Sequence, residues 1–215
     1  MKKAFKIGQI TGEFPRMYDE YLDETCKKYN QEFCNGIGKW FVRTDSCSLK
    51  YGMHGNKPYN RLNKIIESMV TTISSHKCFD ETDTYCNVYF LKWNDELVMN
   101  KEFRIFVYNN DITVMSIQDI YKTNEWTNNM DDDTMKQIIK MIYEYFHENI
   151  RDKMSYLSEY VMDLALVGDT NDLYFIEPNV FGKNYPSGSA LFHWVNDEDL
   201  LYGKKDYIEY RHVCE

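Results

Sequence analysis

The sequence predicts an α+β protein of two lobes, and three observations support that fold class. Hydrophobic residues make up 43% of the 215 residues and aromatic residues 16%, which is enough apolar mass for a packed core. Helical and strand-like segments follow the order α-β-α-β and then β-β-α-β-β along the chain. This order lacks the regular βαβ alternation of a doubly wound sheet. We place the boundary between the lobes after residue 92, which gives domains 1–92 and 93–215.

The first lobe is predicted to hold two helices and two strands. Residues 15 to about 30 are predicted to form the first helix, with Pro15 in its first turn. Proline is tolerated there because the N–H groups of the first turn have no partner within the helix. Strands are expected at 39–44 and 86–93, where β-branched and aromatic residues are concentrated. Between them, the spacing i, i+3, i+4 predicts a second helix over residues 59–76. Its apolar face consists of Leu62, Ile65, Ile66, Met69, Val70 and Ile73.

The second lobe is predicted to hold four strands and one helix, followed by a last strand at 206–213. The pair Asn109-Asn110 tolerates positive φ and should turn the first two strands into a hairpin. Three aspartates at 131–133 provide capping carboxylates for the helix, whose apolar face consists of Met135, Ile138, Ile139, Ile142, Tyr145 and Phe146. The strands are expected at 102–108, 112–121, 160–167, 173–179 and 206–213.

Charge and cysteine content limit the class of partner and the compartment. The net charge of −9 disfavours duplex nucleic acid as the main partner, because phosphate binding along a duplex needs a basic surface. The six cysteines form no C-x-x-C pair and no cluster with the five histidines, so zinc is not expected and the thiols should be reduced. No apolar run approaches the roughly 20 residues that cross a bilayer, and the amino terminus does not resemble a signal peptide. We therefore expect a soluble cytoplasmic protein without a membrane partner.

Three side chains with oxygen ligands form the strongest candidate site. Glu177 and Asn179 are two residues apart on one predicted strand and therefore leave the same face. Asp163 interrupts an otherwise apolar strand, where a carboxylate without a partner would be costly to bury. Such ligands suit Mg²⁺, which usually takes one or two carboxylates together with substrate phosphates. From spacing alone an alternative stays open, in which Asp163 joins a structural ion pair and Glu177 only closes a turn with Pro178.

Arg104 is the cation that such an ion pair would use. It shares one strand face with Glu102 and Phe106, whereas Phe103 and Ile105 share the opposite face and are expected in the core. A charged pair beside an aromatic ring needs either solvent or a ligand. Arg104 is therefore a candidate for binding an anion as well as for a structural pair.

A second group of cations lies in the first lobe. Arg43 is on a predicted strand, and Lys50 follows seven residues later, just before a loop with Gly52 and Gly55. A glycine loop lets backbone amides approach a phosphate, and a nearby cation neutralises the phosphate charge. The chain has no G-x-x-x-x-G-K-[ST] motif, so this is not a Walker loop. The alternative interpretation is a solvated loop with a surface lysine.

Seven segments, taken in chain order, carry a resemblance to a known family. They are EFPRMYDEYLDE (13–24), KWFVRTDSCSLKYG (39–52), VYFLKWNDEL (88–97), KEFRIFVYNNDITVMSIQDIY (101–121), YVMDLALV (160–167), FIEPNVFG (175–182) and SALFHW (189–194). Together they resemble the cell division cycle 123 family of the ATP-grasp fold. The match spans nearly the whole chain, and E-F-R-x-F-V, E-P-N-x-F-G and L-F-H-W are specific only in combination.

The resemblance implies a two-lobed ATP-grasp-like fold whose nucleotide cleft, between the lobes, binds ATP and Mg²⁺. Arg43 and Lys50 stand where the family has two phosphate-binding lysines, and arginine at 43 keeps the charge but changes the geometry. Lys92 and Trp93 end a strand that looks like the family's interlobe hinge, which implies that Trp93 lies beside the adenine. Arg104 falls at the family's arginine near the phosphates, which makes it the candidate catalytic residue as well as a nucleotide ligand.

The same resemblance implies a metal site at Asp163, Glu177 and Asn179. Glu177 replaces the family's more usual aspartate, which keeps the carboxylate but lengthens its reach. Such a site is physically sensible, because the negative charge of a triphosphate needs fixed cations and Mg²⁺ nearby. Closure between the lobes would also exclude water from the site.

Two functions from different classes are consistent with such a site. The one that we favour from the sequence is an ATP-dependent ligase of the carboxylate–amine or a related type, acting on an unknown small-molecule or protein acceptor. The alternative is a non-catalytic ATP-binding assembly factor, because the cell division cycle 123 family is known for helping to assemble translation initiation factor two. ATP binding is common to both, and formation of ADP separates them.

Overall fold

The structure, a computed structural model, describes residues 2–33, 38–72, 78, 84–185 and 188–213. The chain divides into two compact units, Met1–Asn94 and Asp95–Glu215. Both units contain helices and sheets, which confirms the predicted α+β class. The ATP-grasp arrangement with a nucleotide cleft stays a prediction. None of the helices within the described ranges has the length and apolar character that crossing a bilayer requires.

The first unit combines helices with a two-stranded sheet. Its elements are α1 Lys2–Thr11, α2 Asp19–Phe33, β1 Trp40–Thr44, α3 Leu62–Thr71 and β2 Val88–Lys92. Helix α2 begins at Asp19, because Pro15 precedes a single 3₁₀ turn at Arg16–Tyr18 and two acidic residues then open the α-helix. The two predicted helices and two predicted strands are confirmed, with different ends: α3 begins at Leu62 and not at residue 59, and both strands are shorter than predicted. Ile73, the last residue of the predicted apolar face of α3, lies outside the described residues.

Helix α1 is absent from the sequence prediction, and its packing explains why. Only Ala4, Phe5 and Gly8 are buried, so its apolar face is too small to give a clear period. Gly8 lies so close to α3 that a Cβ there would come within 2.7 Å of the Val70 carbonyl oxygen. The helix is therefore held by close contact with α3 and by a Gln9 side chain that donates to the Thr72 carbonyl.

The core of the first unit lies between the sheet and α3. Strands β1 and β2 pair antiparallel, with Trp40 opposite Lys92 and Thr44 opposite Val88. The core consists of Val42, Cys47, Leu49, Tyr59, Ile65, Met69 and Cys78. Two of its members are cysteines that the sequence does not place near each other.

The second unit is built around a five-stranded sheet. Its elements are β3 Glu102–Tyr108, β4 Asp111–Ile117, α4 Glu125–Asn128, α5 Asp132–Tyr145, β5 Glu159–Val167, β6 Asp172–Asn179, α6 Glu198–Leu201 and β7 Glu209–Arg211. The strand order is β6-β5-β3-β4-β7, and every neighbouring pair is antiparallel except β4 with β7. All five predicted strands and the main helix are confirmed, with shorter ends for β4 and β7.

Local sequence signals account for the turns and caps of this unit. Asn109 and Asn110 have φ of 53° and 61°, in the left-handed region that the hairpin between β3 and β4 requires. Asp131 caps α5, because its side chain accepts a hydrogen bond of 2.8 Å from the Thr134 amide. After Tyr145 the helix continues for one π-turn, Phe146–Ile150, before β5.

The two faces of the sheet bury different cores. On one face, Phe103 and Ile105 of β3 pack with Ile138, Ile142 and Phe146, which confirms the predicted core face. On the other face, the ring of Phe106 is covered by aromatic side chains from the carboxyl-terminal segment. The centroid distances from Phe106 are 6.3 Å to Phe181, 5.8 Å to Phe192 and 5.7 Å to Trp194. Phe106 is thus fully buried, although it shares its strand face with Arg104.

Candidate functional site

A row of polar side chains crosses the sheet of the second unit. The register sets Arg104 of β3 opposite Asp163 of β5 and opposite Ser116 of β4. Asp163 in turn lies opposite Glu177 of β6, and Ser116 lies opposite Arg211 of β7. Residues opposite each other on neighbouring strands project from the same face of a sheet. These five residues, called the polar row below, therefore run side by side across all five strands.

Arg104 and Asp163 form the centre of the polar row. The Arg104 Nε donates to Asp163 Oδ1 at 2.9 Å, and Nη2 donates to Oδ2 at 2.8 Å. The exposed fraction of the two side chains is only 11% and 7%. This bidentate geometry is the strongest arrangement that an arginine and a carboxylate can adopt. The structural ion pair that the sequence left open is thus present.

Glu177 and Asn179 lie beside this pair on the edge strand. The Asn179 Nδ2 donates to Asp163 Oδ2 at 3.2 Å, so the amide is oriented by the same carboxylate. Glu177 does not close a turn with Pro178, because β6 continues through Pro178 to Asn179, although its pairing with β5 shifts register between Phe175 and Glu177. Pro178 is tolerated there since an edge strand has one side without ladder hydrogen bonds. The alternative role for Glu177 is therefore wrong, and its carboxylate lies on the face of the polar row.

The donor atoms of this region fit one class of metal ion. Within the described part of the chain, no three or more His, Cys, Asp or Glu side chains converge into a metal-binding group. Glu177 and the Asn179 amide oxygen would supply hard ligands, and Asp163 can add one because each carboxylate oxygen accepts more than one partner. Such a set fits Mg²⁺, which completes its shell with phosphate oxygens and waters. A metal that needs a full shell of protein ligands does not fit.

The segment that follows β6 approaches Arg104. Gly188 has a φ of 68°, and a Cβ built on it would lie 3.7 Å from Arg104 Nη1. Two residues later, Ala190 also adopts a positive φ of 49°. The backbone at Gly188 therefore lies next to Nη1, whereas the hydrogen bonds to Asp163 come from Nε and Nη2.

The far end of the polar row is a second ion pair that sequence reasoning missed. Arg211 donates to the two carboxylate oxygens of Asp197 at 2.8 Å each and to the Leu191 carbonyl at 3.1 Å. The hydrogen bonds from Arg211 hold the pKa of the Asp197 carboxyl below its usual range. The guanidinium also lies 4.3 Å from the ring centroid of Phe192. No spacing signal joins residues 197 and 211, which the fold brings together through β7.

The predicted phosphate ligands of the first lobe lie in the first unit, on and after β1. Arg43 is on β1 opposite Tyr89, and Lys50 is exposed on the 3₁₀ turn Leu49–Tyr51. The Lys50 Nζ is 5.3 Å from the ring centroid of Tyr51. Packing explains why residue 52 is a glycine, because a Cβ there would come within 2.5 Å of the Ser68 carbonyl oxygen. The glycine therefore indicates close contact with α3, and phosphate binding by Arg43 and Lys50 stays a prediction.

The predicted adenine-side residues lie at the end of β2. Lys92 is exposed and opposite Trp40, and Trp93 follows it directly. The Trp93 backbone N–H donates to the Lys39 carbonyl at 3.0 Å, so this amide is used within the first unit. Contact of Lys92 and Trp93 with a nucleotide stays a prediction.

Comparison with known proteins identifies the family. Residues 60–214 match the D123 family, and this range includes β2 and the whole sheet of the second unit. The chain belongs to the D123 family, that of the Cdc123 proteins. The predicted family is therefore confirmed. No curated protein sequence matches the chain.

Solved structures agree with the assignment at the level of the fold. Cdc123 from Schizosaccharomyces pombe superposes with a TM-score of 0.58 and 15% identity, over 92% of this chain and 79% of that one. A C-terminally truncated form of the same protein gives the same TM-score and identity, over 94% of this chain and 86% of that one. At this identity the likeness concerns the fold alone.

Proposed function

We propose that this protein is an ATP-binding assembly factor of the Cdc123 type, acting with Mg²⁺ on translation initiation factor two. This reverses the order of the two functions that the sequence left open. Family membership favours the assembly factor over the ligase, since it is the assembly role that the resemblance attaches to this family. The observation that carries the proposal is the part of the polar row formed by Arg104, Asp163 and Glu177. Together with the neighbouring Asn179, it sets a cation, two carboxylates and an amide on one sheet face.

Each member of this group has a proposed role in holding the nucleotide. Glu177 and Asn179 would hold Mg²⁺ through hard oxygen atoms, and the ion would neutralise the phosphates. Asp163 would orient both neighbours, because it accepts from Asn179 and from Arg104. Arg104, whose Nη1 lies near the backbone of Gly188, would contribute its positive charge to the phosphate site.

The Arg104–Asp163 pair supports binding rather than turnover. A catalytic cation must act more strongly on the transition state than on the ground state. Here two of the guanidinium nitrogens are held by a buried carboxylate, so most of the positive charge is already compensated. Such a pair orients a phosphate well but leaves little additional charge for a phosphoryl group in transfer. We therefore assign Arg104 to nucleotide binding.

Four further residues complete the proposed ligand set on the strength of the resemblance. Arg43 and Lys50 would bind phosphate oxygens, and Lys92 and Trp93 would contact the base. All four belong to the first unit.

The test compares ATP binding, ATP turnover and partner binding in one preparation. Calorimetric titration with ATP, with and without Mg²⁺, should give metal-dependent binding. Incubation with pooled cellular acids, amines and proteins should release no ADP above background. Purified translation initiation factor two should coelute with the protein in gel filtration. Glu177→Gln should weaken the metal-dependent binding, and the exposed Glu159→Gln on β5 is the matched control.

The outcomes separate the two functions. ADP release that depends on one acceptor would restore the ligase. Binding of ATP without turnover, together with coelution, supports the assembly factor. If ATP does not bind with or without Mg²⁺, the nucleotide site itself is wrong.

A further inference from the structure

Two buried cysteines of the first unit face each other. The Cys47 Sγ lies 3.8 Å from the Cys78 Sγ, although the residues are 31 positions apart in the chain. Cys47 is 9% exposed and Cys78 is 1% exposed. A third thiol, Cys86, is directed at the backbone and donates to the Cys78 carbonyl at 3.4 Å. The structure therefore forms a specific pair rather than a loose group of thiols.

The surroundings make the two thiols chemically different. The pKa of Cys47 is lowered to about 7, first by its hydrogen bond with Cys78 and further by Thr44 and the charge of Arg43, against the opposing effect of burial. The pKa of Cys78 is raised, first by its hydrogen bond with Cys47 and then by burial. The Thr72 hydroxyl lies 3.7 Å from the Cys78 Sγ. Cys47 is thus the nucleophile of the pair, since the thiolate is the reactive form.

We propose that Cys47 and Cys78 form a reversible oxidation site that a hydroperoxide converts into a disulfide. The Cys47 thiolate attacks the peroxide, so that an S–O bond forms, the O–O bond breaks and the other oxygen leaves as hydroxide or alkoxide. The Cys78 sulfur then attacks the Cys47 sulfenic acid. The S–S bond forms, the S–O bond breaks, and the leaving oxygen takes the Cys78 proton and departs as water. Both thiols are oxidised, and one peroxide is reduced by two electrons.

The geometry needs only a local adjustment for this step. The sulfur atoms must close from 3.8 Å to about 2.05 Å, the length of a disulfide. Cys47 lies three residues after the end of β1, in a turn where its own amide donates to the Thr44 hydroxyl at 3.2 Å. Because Cys47 lies outside the paired residues of β1 and β2, we expect a side-chain rotation in this turn to close the gap without breaking the ladder. Cys47 is the more exposed of the two residues, so we expect the hydroperoxide to meet it first.

The disulfide would tie the turn after β1 to position 78. Arg43 lies four residues before Cys47 and Lys50 three residues after it. If these cations bind phosphates, oxidation should change the affinity for ATP, and this consequence rests on the proposed function. Formation of the disulfide does not depend on it.

Mass spectrometry of the full-length protein tests the oxidation site directly. After treatment with hydrogen peroxide and blocking of the remaining thiols, trypsin should release a cross-linked pair of peptides, 44–50 and 78–92. Fragment ions decide between Cys78 and Cys86, which share the second peptide. Dithiothreitol should remove the cross-link. In Cys78→Ser, dimedone should trap a sulfenic acid at Cys47, and Cys47→Ser should give neither product.

Cys26→Ser is the matched control, since Cys26 is also buried but its pKa is raised, chiefly by burial. This variant should form the cross-link as readily as the parent protein. The proposal is overturned if the parent protein gives no 47–78 cross-link while its circular dichroism stays native, or if Cys26 oxidises as fast as Cys47. A cross-link from Cys47 to Cys86 would also overturn it. Calorimetry of the oxidised protein with ATP measures separately how oxidation changes the affinity for ATP. If the reduced protein does not bind ATP, the proposed function fails, but the disulfide result still stands.

Discussion

Arg104 and Asp163 face each other across neighbouring strands and are joined by two hydrogen bonds of 2.9 and 2.8 Å. The pair lies at the centre of the polar row and is almost fully removed from water. Burying one charge without the other is strongly unfavourable, whereas two apolar side chains in their place can be tolerated. The pair is therefore expected to orient neighbouring groups more than to stabilise the fold.

Removing one partner of this pair should destabilise the second unit. Arg104→Met should lower the free energy of unfolding by about 3–5 kcal/mol, because the buried Asp163 carboxylate is left without a countercharge. The double variant Arg104→Met with Asp163→Leu should recover most of that loss. Urea denaturation of both variants measures the difference. A double variant as unstable as the single one would show that the pair itself holds the fold.

Low pH should weaken the second ion pair. The hydrogen bonds from Arg211 lower the pKa of Asp197 in the folded protein, so the unfolded chain takes up this proton more readily. The resulting stabilisation is present above about pH 4, the ordinary aspartate value, and is lost as the pH falls through the folded pKa. Between pH 7 and pH 3, the urea concentration at the midpoint of unfolding should fall less steeply for Asp197→Asn than for the parent protein. The exposed Asp206→Asn is the control and should keep the parent slope.

The aromatic cluster around Phe106 should contribute strongly to stability. Phe106→Ala removes a fully buried ring that contacts Phe181, Phe192 and Trp194, which should cost about 3–5 kcal/mol. Phe106→Leu should cost less, because it fills most of the volume. Tyr121→Ala, at a side chain that is 93% exposed, should change the free energy of unfolding little. Equal losses for Phe106→Ala and Tyr121→Ala in thermal or urea unfolding would contradict the observed packing.

Gly52 should be required by packing rather than by a ligand. A Cβ at this position would lie 2.5 Å from the Ser68 carbonyl oxygen and 2.7 Å from its Cα, and backbone atoms cannot move away cheaply. Gly52→Ala should therefore destabilise the first unit by about 1–3 kcal/mol. Gly12→Ala is the control, because a Cβ at Gly12 would have no atom within 4 Å. Its cost is limited to the strain of an alanine at a φ of 72°. If Gly52→Ala proves the milder change in urea denaturation, the loop does not pack on α3 as described.

Saturating ATP with Mg²⁺ should stabilise the protein if the proposed site is right. At about 100 times the Kd, a ligand that binds only the folded state contributes roughly 2.7 kcal/mol. Glu177→Gln and Asn179→Ala should reduce this ligand-dependent gain while leaving the fold intact by circular dichroism. Glu159→Gln should keep the full gain. An unchanged melting temperature of the parent protein with ATP and Mg²⁺ would exclude the site assignment.

The sequence alone determined most of the secondary structure and the polar character of the site. The alternation of β3 and the period of α5 are local properties, because each depends on which side of one element faces the core. The same holds for the Asn109-Asn110 hairpin, where two residues that tolerate positive φ fix the turn. The family resemblance also rested on motifs that can be read along the chain.

Only the tertiary structure decided which of these residues meet. Arg104 and Asp163 are 59 positions apart, and their pairing depends on the strand order and the register of β3 with β5. Cys47 and Cys78 likewise become neighbours only when the turn after β1 packs in the core of the first unit. The periodicity of apolar residues shows which face of a helix or strand is buried, but it does not show which other element packs against that face. Contacts between distant segments are set by sheet order and packing, and these arise only when the whole unit folds.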